Sequence, residues 1–412
     1  MDGATPGLRR VPAPDLDAVG QEDALVDRLR DEIRRDGPIP FARFMDVALY
    51  DPNGGYYRST EVRPGPRGDF VTAPELHPIF GWTLARVLDD AWRRMDRPDP
   101  FVLREPGAGI GTLGLTVLEG LQREGSELFG ALRFDPVEVE PRRLEAIEAR
   151  FTHAGWEGRL VGAGESGEAI VGAIVANEVL DALPVHRVTS RDGVLREVLV
   201  GLDGDRFIDL EGAPTTEALT ARLDAEGVAL AEGQQAEVCL ELDRWVADQA
   251  GGLARGLMLV FDYGAPATEL YDARRRPAGT LRAYLRQRVH DDPYAHVGRQ
   301  DLTAHVDLTA LERAAAKAGL AHLGTTSQAE FLIGSGMELS LASIREDPRT
   351  TTESWLAVRS SVMRLIDPAA MGRFRVAGFG RAWPSGPPLP GFAYRGPRRS
   401  ADRTGPHQTP PD

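Results

Sequence analysis

The segment FVLREPGAGIGTLGLTVLEGL, residues 101–121, runs from a short apolar stretch through a glycine-crowded turn into apolar residues at helical spacing. Strand, tight turn and helix in that order are the unit on which many α/β proteins build a nucleotide site. Working outward, the alternation continues: FDPVEVE (134–140) reads as a second strand, PRRLEAIEARF (141–151) as a helix, GAIVANE (172–178) and GLMLVFDYG (256–264) as further strands. This pattern predicts a Rossmann-like α/β fold, a doubly wound and mostly parallel sheet. Residues 98–383 are expected to form that core, with an insertion at about 185–255. VHRVTSRDGVLREVLVGLDGDRFIDLEG (185–212) alternates around Asp-Gly turns, which predicts antiparallel hairpins roofing one side of the site.

Ahead of the core, residues 1–20 read as disordered and 21–97 as a helical cap region, with a helix over LVDRLRDEIRRDG (25–37) and another carrying Ile79, Leu84, Val87, Leu88 and Trp92. EVCLELDRWVADQAGGLARG (237–256) and LTALERAAAKAGL (308–320) read as helices, and MGRFRVAGFG (371–380) as a closing edge strand. The Pro/Gly-rich 384–412 reads as a disordered tail without a core.

Composition narrows the function. The 412 residues are 42% hydrophobic, enough for a real core, yet no apolar run approaches the roughly 18 residues of a membrane helix. The N-terminal stretch lacks a signal-peptide core and is rich in Asp and Glu, so a cytoplasmic location is expected. A net charge of -14 argues against a nucleic-acid partner. Cys239 is the only cysteine, so no intrachain disulfide or cysteine-based metal site is available.

Gly109-Ile-Gly-Thr-Leu-Gly114 matches GxGxxG, a weak signal that an ordinary tight turn also satisfies. Three features favour S-adenosyl-L-methionine over NAD. Glu105 at the strand end precedes alternating Gly107, Gly109 and Gly111. Glu138 falls near the end of the second strand, where a carboxylate can accept both ribose hydroxyls. ANEVLDALP (176–184) sets polar groups at the carboxyl end of a strand, where open α/β sheets bind their ligands, although Asn177 or Asp181 could equally cap a helix. Val179 and Leu180 supply no aromatic platform for a flipped base.

The chain resembles the MidA-type methyltransferases, which include a mitochondrial complex I assembly factor that dimethylates an arginine of a core subunit. The likeness rests on PIPFARFMDVALYDPNGGYY, GDFVTAPELHPIFG, EPGAGIGTL, VEVEPRRLE, ANEVLDALPVHRV, VFDYG, GTLRAYLRQRVHDDPY and DLTAHVDLTAL, spread from about residue 38 to 380. Pro106 and Ala108 in the turn, and Glu140 in place of a small hydroxyl residue, depart from the family pattern. The resemblance implies a class I methyltransferase core in which Gly107, Gly109, Gly111 and Glu138 hold S-adenosyl-L-methionine. Asp69, Thr72, Glu75 and Asn177 would lie near its methionine end. Glu178 and Asp181 would face the methyl acceptor, and as carboxylates they suit an arginine, whose fork they can fix and whose charge they can localise.

His305, flanked by Asp301 and Asp307, is a candidate base oriented by a carboxylate, or a structural histidine in a capping loop. His290 and His296 with Asp291 and Asp292 match no familiar metal-ligand spacing, and no metal is expected. The leading expectation is arginine methylation on a protein partner, such as a respiratory subunit. A small-molecule or peptide acceptor and an assembly chaperone that uses the cofactor for stability are the alternatives. A homodimer is a further expectation.

Overall fold

A computed structural model describes residues 19–59, 71–161 and 169–395. The stretch read as a disordered N-terminus, all but its last two residues, lies outside these.

The chain opens with α1 (Asp23–Asp36) and α2 (Phe41–Tyr50). In α1, Leu25, Val26, Leu29 and Ile33 form one buried stripe, and Gly37 ends the helix at φ +87°. The short α3 (Ala73–Leu76) leads into α4 (Ile79–Arg94). Then come β1 (Phe101–Pro106), α5 (Thr112–Arg123), β2 (Leu132–Val137), α6 (Pro141–His153) and β3 (Ile170–Asn177). The insertion holds β4 (His186–Arg191), β5 (Val194–Asp203), β6 (Arg206–Gly212) and β7 (Gln235–Val238). After α7 (Glu241–Gly251) the core resumes with β8 (Leu253–Asp262), α8 (Leu308–Lys317), β9 (Ala321–Ser327) and β10 (Arg375–Arg381).

The main sheet runs β9-β10-β8-β3-β1-β2. Strands β2, β1, β3 and β8 are parallel, and β10 is antiparallel to both its neighbours. After pairing β2 with one side of β1, the chain crosses to place β3 on the other, so the topological switch lies between β1 and β3. Ligands of open α/β sheets bind at the strand carboxyl ends beside such a switch. A buried ion pair between register partners, Arg104 Nε to Asp135 Oδ2 at 2.6 Å, ties β1 to β2.

The inserted strands form a separate antiparallel sheet. Asp192 and Gly193, both at positive φ (+53° and +72°), make the two-residue turn from β4 to β5 that the Asp-Gly signal predicts. This sheet shares a hydrophobic core with α1 and α2, and Ile39 pairs with Val200 of β5. The N-terminal helices and the insertion, distant in sequence, thus build one lobe beside the main sheet.

Four expectations need correction. Helix α4 packs against α5 within the core of the main sheet, so the cap region does not run to residue 97. The segment 371–380 supplies the internal strand β10; the edge is β9, whose half-exposed AHLGTTS lacks a strand's apolar alternation. The first residues of EVCLELDRWV belong to β7, because Glu237 and Val238 pair with β4. Residues 384–395 are not a coreless tail: Leu389 and Phe392 are 2% and 4% exposed. Phe392 fits against Gly324 and Gly378, where an added Cβ would come within 2.9 and 2.4 Å of its ring. Phe392→Ala is therefore expected to cost about 3–5 kcal/mol of stability, read as a lowered denaturation midpoint; an unchanged midpoint would contradict this packing. Helices over 328–334, 337–346 and 352–366 complete the core, without a sequence expectation to compare.

Candidate active site

The carboxyl ends of β1, β2, β3 and β8 open into a cavity of about 670 Å³. The glycine turn forms one wall. Gly107, Gly109 and Gly111 all have positive φ (+68°, +57° and +74°), a conformation side chains resist, and Gly111 caps α5. Gly114 has another reason to be glycine: an added Cβ would sit 2.6 Å from the Phe134 ring, so its absence lets α5 close on β2. At Gly109 an added Cβ would meet nothing within 4 Å.

Glu138 follows β2 directly and turns back onto the glycine loop. Its Oε2 accepts from Gly109 N at 2.9 Å and its Oε1 from Val139 N at 2.8 Å, with Arg143 Nη1 at 3.4 Å. Oε1 also accepts from Glu140 N at 3.4 Å, whereas Oε2, with Gly109 N as its one donor among the described residues, keeps a lone pair for a further donor. Glu105, Thr72 and Glu75 also line the cavity, whereas Asp69 lies outside the described residues.

Beyond β3 the backbone turns sharply. Glu178 sits at φ +52°, a strained conformation for a side-chain-bearing residue, while its N–H donates to Phe261 O at 2.8 Å. Its Oε1 accepts from Ala73 N (3.2 Å) and Asn177 Nδ2 (3.1 Å); Oε2 has no partner among the described residues. Asp181 accepts from the Tyr263 hydroxyl through one oxygen, and its other oxygen is buried and unpartnered among the described residues. Asp262 Oδ2 accepts from the N–H groups of Val179, Leu180 and Asp181 at 3.3, 2.9 and 3.3 Å, which clamps the turn.

Burial dominates the electrostatics here. It pushes Glu178 up to about 8, helped by the Asp181 charge, and Asp181 up to about 6 against the Tyr263 hydrogen bond. Asn177 Oδ1 and Glu105 Oε2 are likewise buried acceptors without a partner among the described residues. Four tyrosines line the same cavity. Tyr50 and Tyr57 stack at 5.4 Å, Tyr57 donates to Asp301 at 2.8 Å and Tyr50 to Ala182 O at 2.9 Å; Tyr263 and Tyr284 complete the set. A space rich in carboxylates and aromatic faces, with acceptor oxygens lacking donors, suits cationic and N–H-bearing groups.

His305 is elsewhere. It does not line the cavity, and its Nδ1 accepts from Arg276 at 2.8 Å, which commits that lone pair. Burial and nearby guanidinium groups push it down to about 4. Asp307 caps α8 through Thr309 and Ala310 N–H. A carboxylate-oriented base is therefore not what this histidine provides. Among the described residues no cluster could hold a metal ion. Burial pushes the Cys239 thiol up to about 12, which leaves it an inert thiol.

Sequence reasoning missed the roles of Asp262 and Tyr263 and the aromatic wall. VFDYG at a strand end was a usable signal, since polar residues at that position face the site. The tyrosines come from segments far apart in the chain, and no local pattern groups them.

Residues 83–326 match the profile of a family described as "Putative S-adenosyl-L-methionine-dependent methyltransferase". The Drosophila melanogaster homologue of protein arginine methyltransferase NDUFAF7, mitochondrial, is 31% identical over 85% of this chain and 84% of its own. The Homo sapiens NDUFAF7 is 29% identical over 75% and 73%. A COG1565 superfamily member from Burkholderia thailandensis, whose crystal structure holds S-adenosyl-homocysteine, superposes with a TM-score of 0.82 at 35% identity, covering 93% of this chain and 98% of that one.

Proposed function

The chain belongs to this family of S-adenosyl-L-methionine-dependent methyltransferases, and from that premise we propose that it methylates the guanidinium of an arginine in a protein partner. The observation that carries the acceptor is the pair Glu178, half-buried, and Asp181, buried, each with an oxygen that has no partner among the described residues and each held back from ionising by its removal from water. A guanidinium is always charged and presents a fork of N–H donors, which answers both deficits.

The unpartnered acceptors and the open space at Gly109 fit the cofactor. In this reading Gly107, Gly109, Gly111 and Glu138 hold its nucleoside, and Glu105, Thr72, Glu75 and Asn177 its methionine end. When bound, S-adenosylmethionine supplies an electrophilic methyl group on a sulfonium. Glu178 Oε2 and Asp181 orient the guanidinium fork and hold its charge away from the attacking nitrogen. That nitrogen must shed a proton, and Glu178 Oε2 can accept it. Positioning and electrostatics supply the acceleration, with no covalent enzyme intermediate.

Two measurements test the reading. Calorimetric titration with S-adenosyl-homocysteine should show binding, and labelled methyl donor added to cell extract should yield methylarginine in protein. Label confined to small molecules or short peptides would transfer the function to those acceptors. Glu138→Ala should weaken S-adenosyl-homocysteine binding by about 1.5–3 kcal/mol, the range for a hydrogen bond to a charged group; unchanged affinity would exclude Glu138 from the site.

A pH dependence follows. Glu178 and Asp181 are protonated below about 8 and 6 and must ionise to hold the acceptor. The kcat/KM for acceptor should rise from pH 6 to pH 8 and then level. The limb of kcat should lie at lower pH, because the bound cation favours the ionised carboxyls. A flat profile over this range would contradict the assignment.

A further inference from the structure

The charged residues that line the cavity are mostly carboxylates; the cations among the described ones are Arg143 and Arg364. Arg143 is engaged, with its Nη1 3.4 Å from Glu138 Oε1 and its Nη2 donating to Ser59 O at 3.4 Å. Arg364 is exposed and has no hydrogen bond or ion pair among the described residues, although acids share the cavity with it.

The chain fixes Arg364 from the core side. It stands in the last turn of the helix Thr352–Ile366, whose Val362 and Leu365 are buried, and the fully buried Gln328 donates from Nε2 to Leu365 O at 3.0 Å. This helix packs against α3, and α3 packs in turn against α5, which follows the glycine turn. Arg364 therefore enters the cavity from the α3 side, where Thr72, Pro74 and Glu75 also line it.

That is the side where the cofactor's methionine end is placed. This end carries a carboxylate, ionised at neutral pH, beside an ammonium group. The ammonium finds acceptors in Glu75 and in Glu105, whose Oε2 is buried without a partner among the described residues. The carboxylate would be repelled by the same acids unless a cation met it, and a guanidinium offers the paired N–H donors that match a carboxylate. We propose, on the cofactor placement given above, that Arg364 binds the methionine carboxylate of S-adenosyl-L-methionine, so that the helix Thr352–Ile366 completes this end of the cofactor site.

Calorimetry on the full-length protein compares S-adenosyl-homocysteine with its decarboxylated form, which keeps the nucleoside and the ammonium. Arg364→Ala should weaken S-adenosyl-homocysteine binding by about 10- to 100-fold, the loss expected of a hydrogen bond between charged groups, and leave the decarboxylated ligand within about twofold. An equal loss for both ligands would make the arginine a structural residue. No loss for either would leave it to another anion, such as an acid of the methyl acceptor, and either result overturns the proposal. Glu138→Ala keeps the two readings apart: it should weaken both ligands alike, and if it weakens neither, the cofactor placement itself fails and takes this proposal with it.

Discussion

Glu178→Gln should lower methyl transfer by about 10²–10³-fold, the usual loss when one preorganised electrostatic contact to the reacting group is removed. The substitution keeps size and shape, and an amide oxygen can still accept from Ala73 N and Asn177 Nδ2, which hold Oε1 now. What it removes is the charge that orients the guanidinium and the oxygen that takes its proton. S-adenosyl-homocysteine affinity should change little. The pH limb assigned to Glu178 should also vanish, leaving the lower one set by Asp181. Transfer at the unmodified rate would mean that another group holds the acceptor. A chaperone that needs only bound cofactor would retain full biological rescue with this variant.

Gly109→Val should lower S-adenosyl-homocysteine affinity by more than about a hundredfold while the protein remains folded. The backbone at φ +57° penalises any side chain, by about 1–2 kcal/mol for the left-handed conformation. The protein itself offers no clash, since nothing lies within 4 Å of an added Cβ. The bulk therefore falls where the ligand would be. Gly114→Val gives the internal contrast. There the added Cβ meets Phe134 at 2.6 Å, so the expected effect is overpacking, about 1–3 kcal/mol of stability, read as a lowered denaturation midpoint. Ligand affinity untouched by Gly109→Val would remove the glycine turn from the cofactor site.

The two glycine variants separate what one motif compresses. GxGxxG reads as a single signal in the sequence, yet Gly109 and Gly111 answer a backbone conformation and Gly114 answers the distance between a helix and a strand. Glu178 and Asp181 were legible by residue type and by their place after a strand. Glu178's strained conformation and the Asp262 clamp were not, because they depend on β3 and β8 lying side by side, roughly eighty residues apart in the chain. The surroundings of His305 were hidden for a similar reason. Asp301 and Asp307 flank it in sequence, but the group at its ring nitrogen is Arg276, brought in from a distant loop.

What the sequence alone determined was the local chemistry: alternating strands and helices, hence a doubly wound sheet, the glycine turn after the first strand, and carboxylates at the strand ends. Each is written in a few consecutive residues, through side-chain periodicity and backbone conformational preference. Tertiary structure alone decided the strand order, the union of the N-terminal helices with the insertion, and the packing of Phe392 into the core. It also gathered the tyrosines around Glu178 and Asp181. These are pairings between distant segments, selected by the apolar surface they bury together, and no short stretch of chain carries that information.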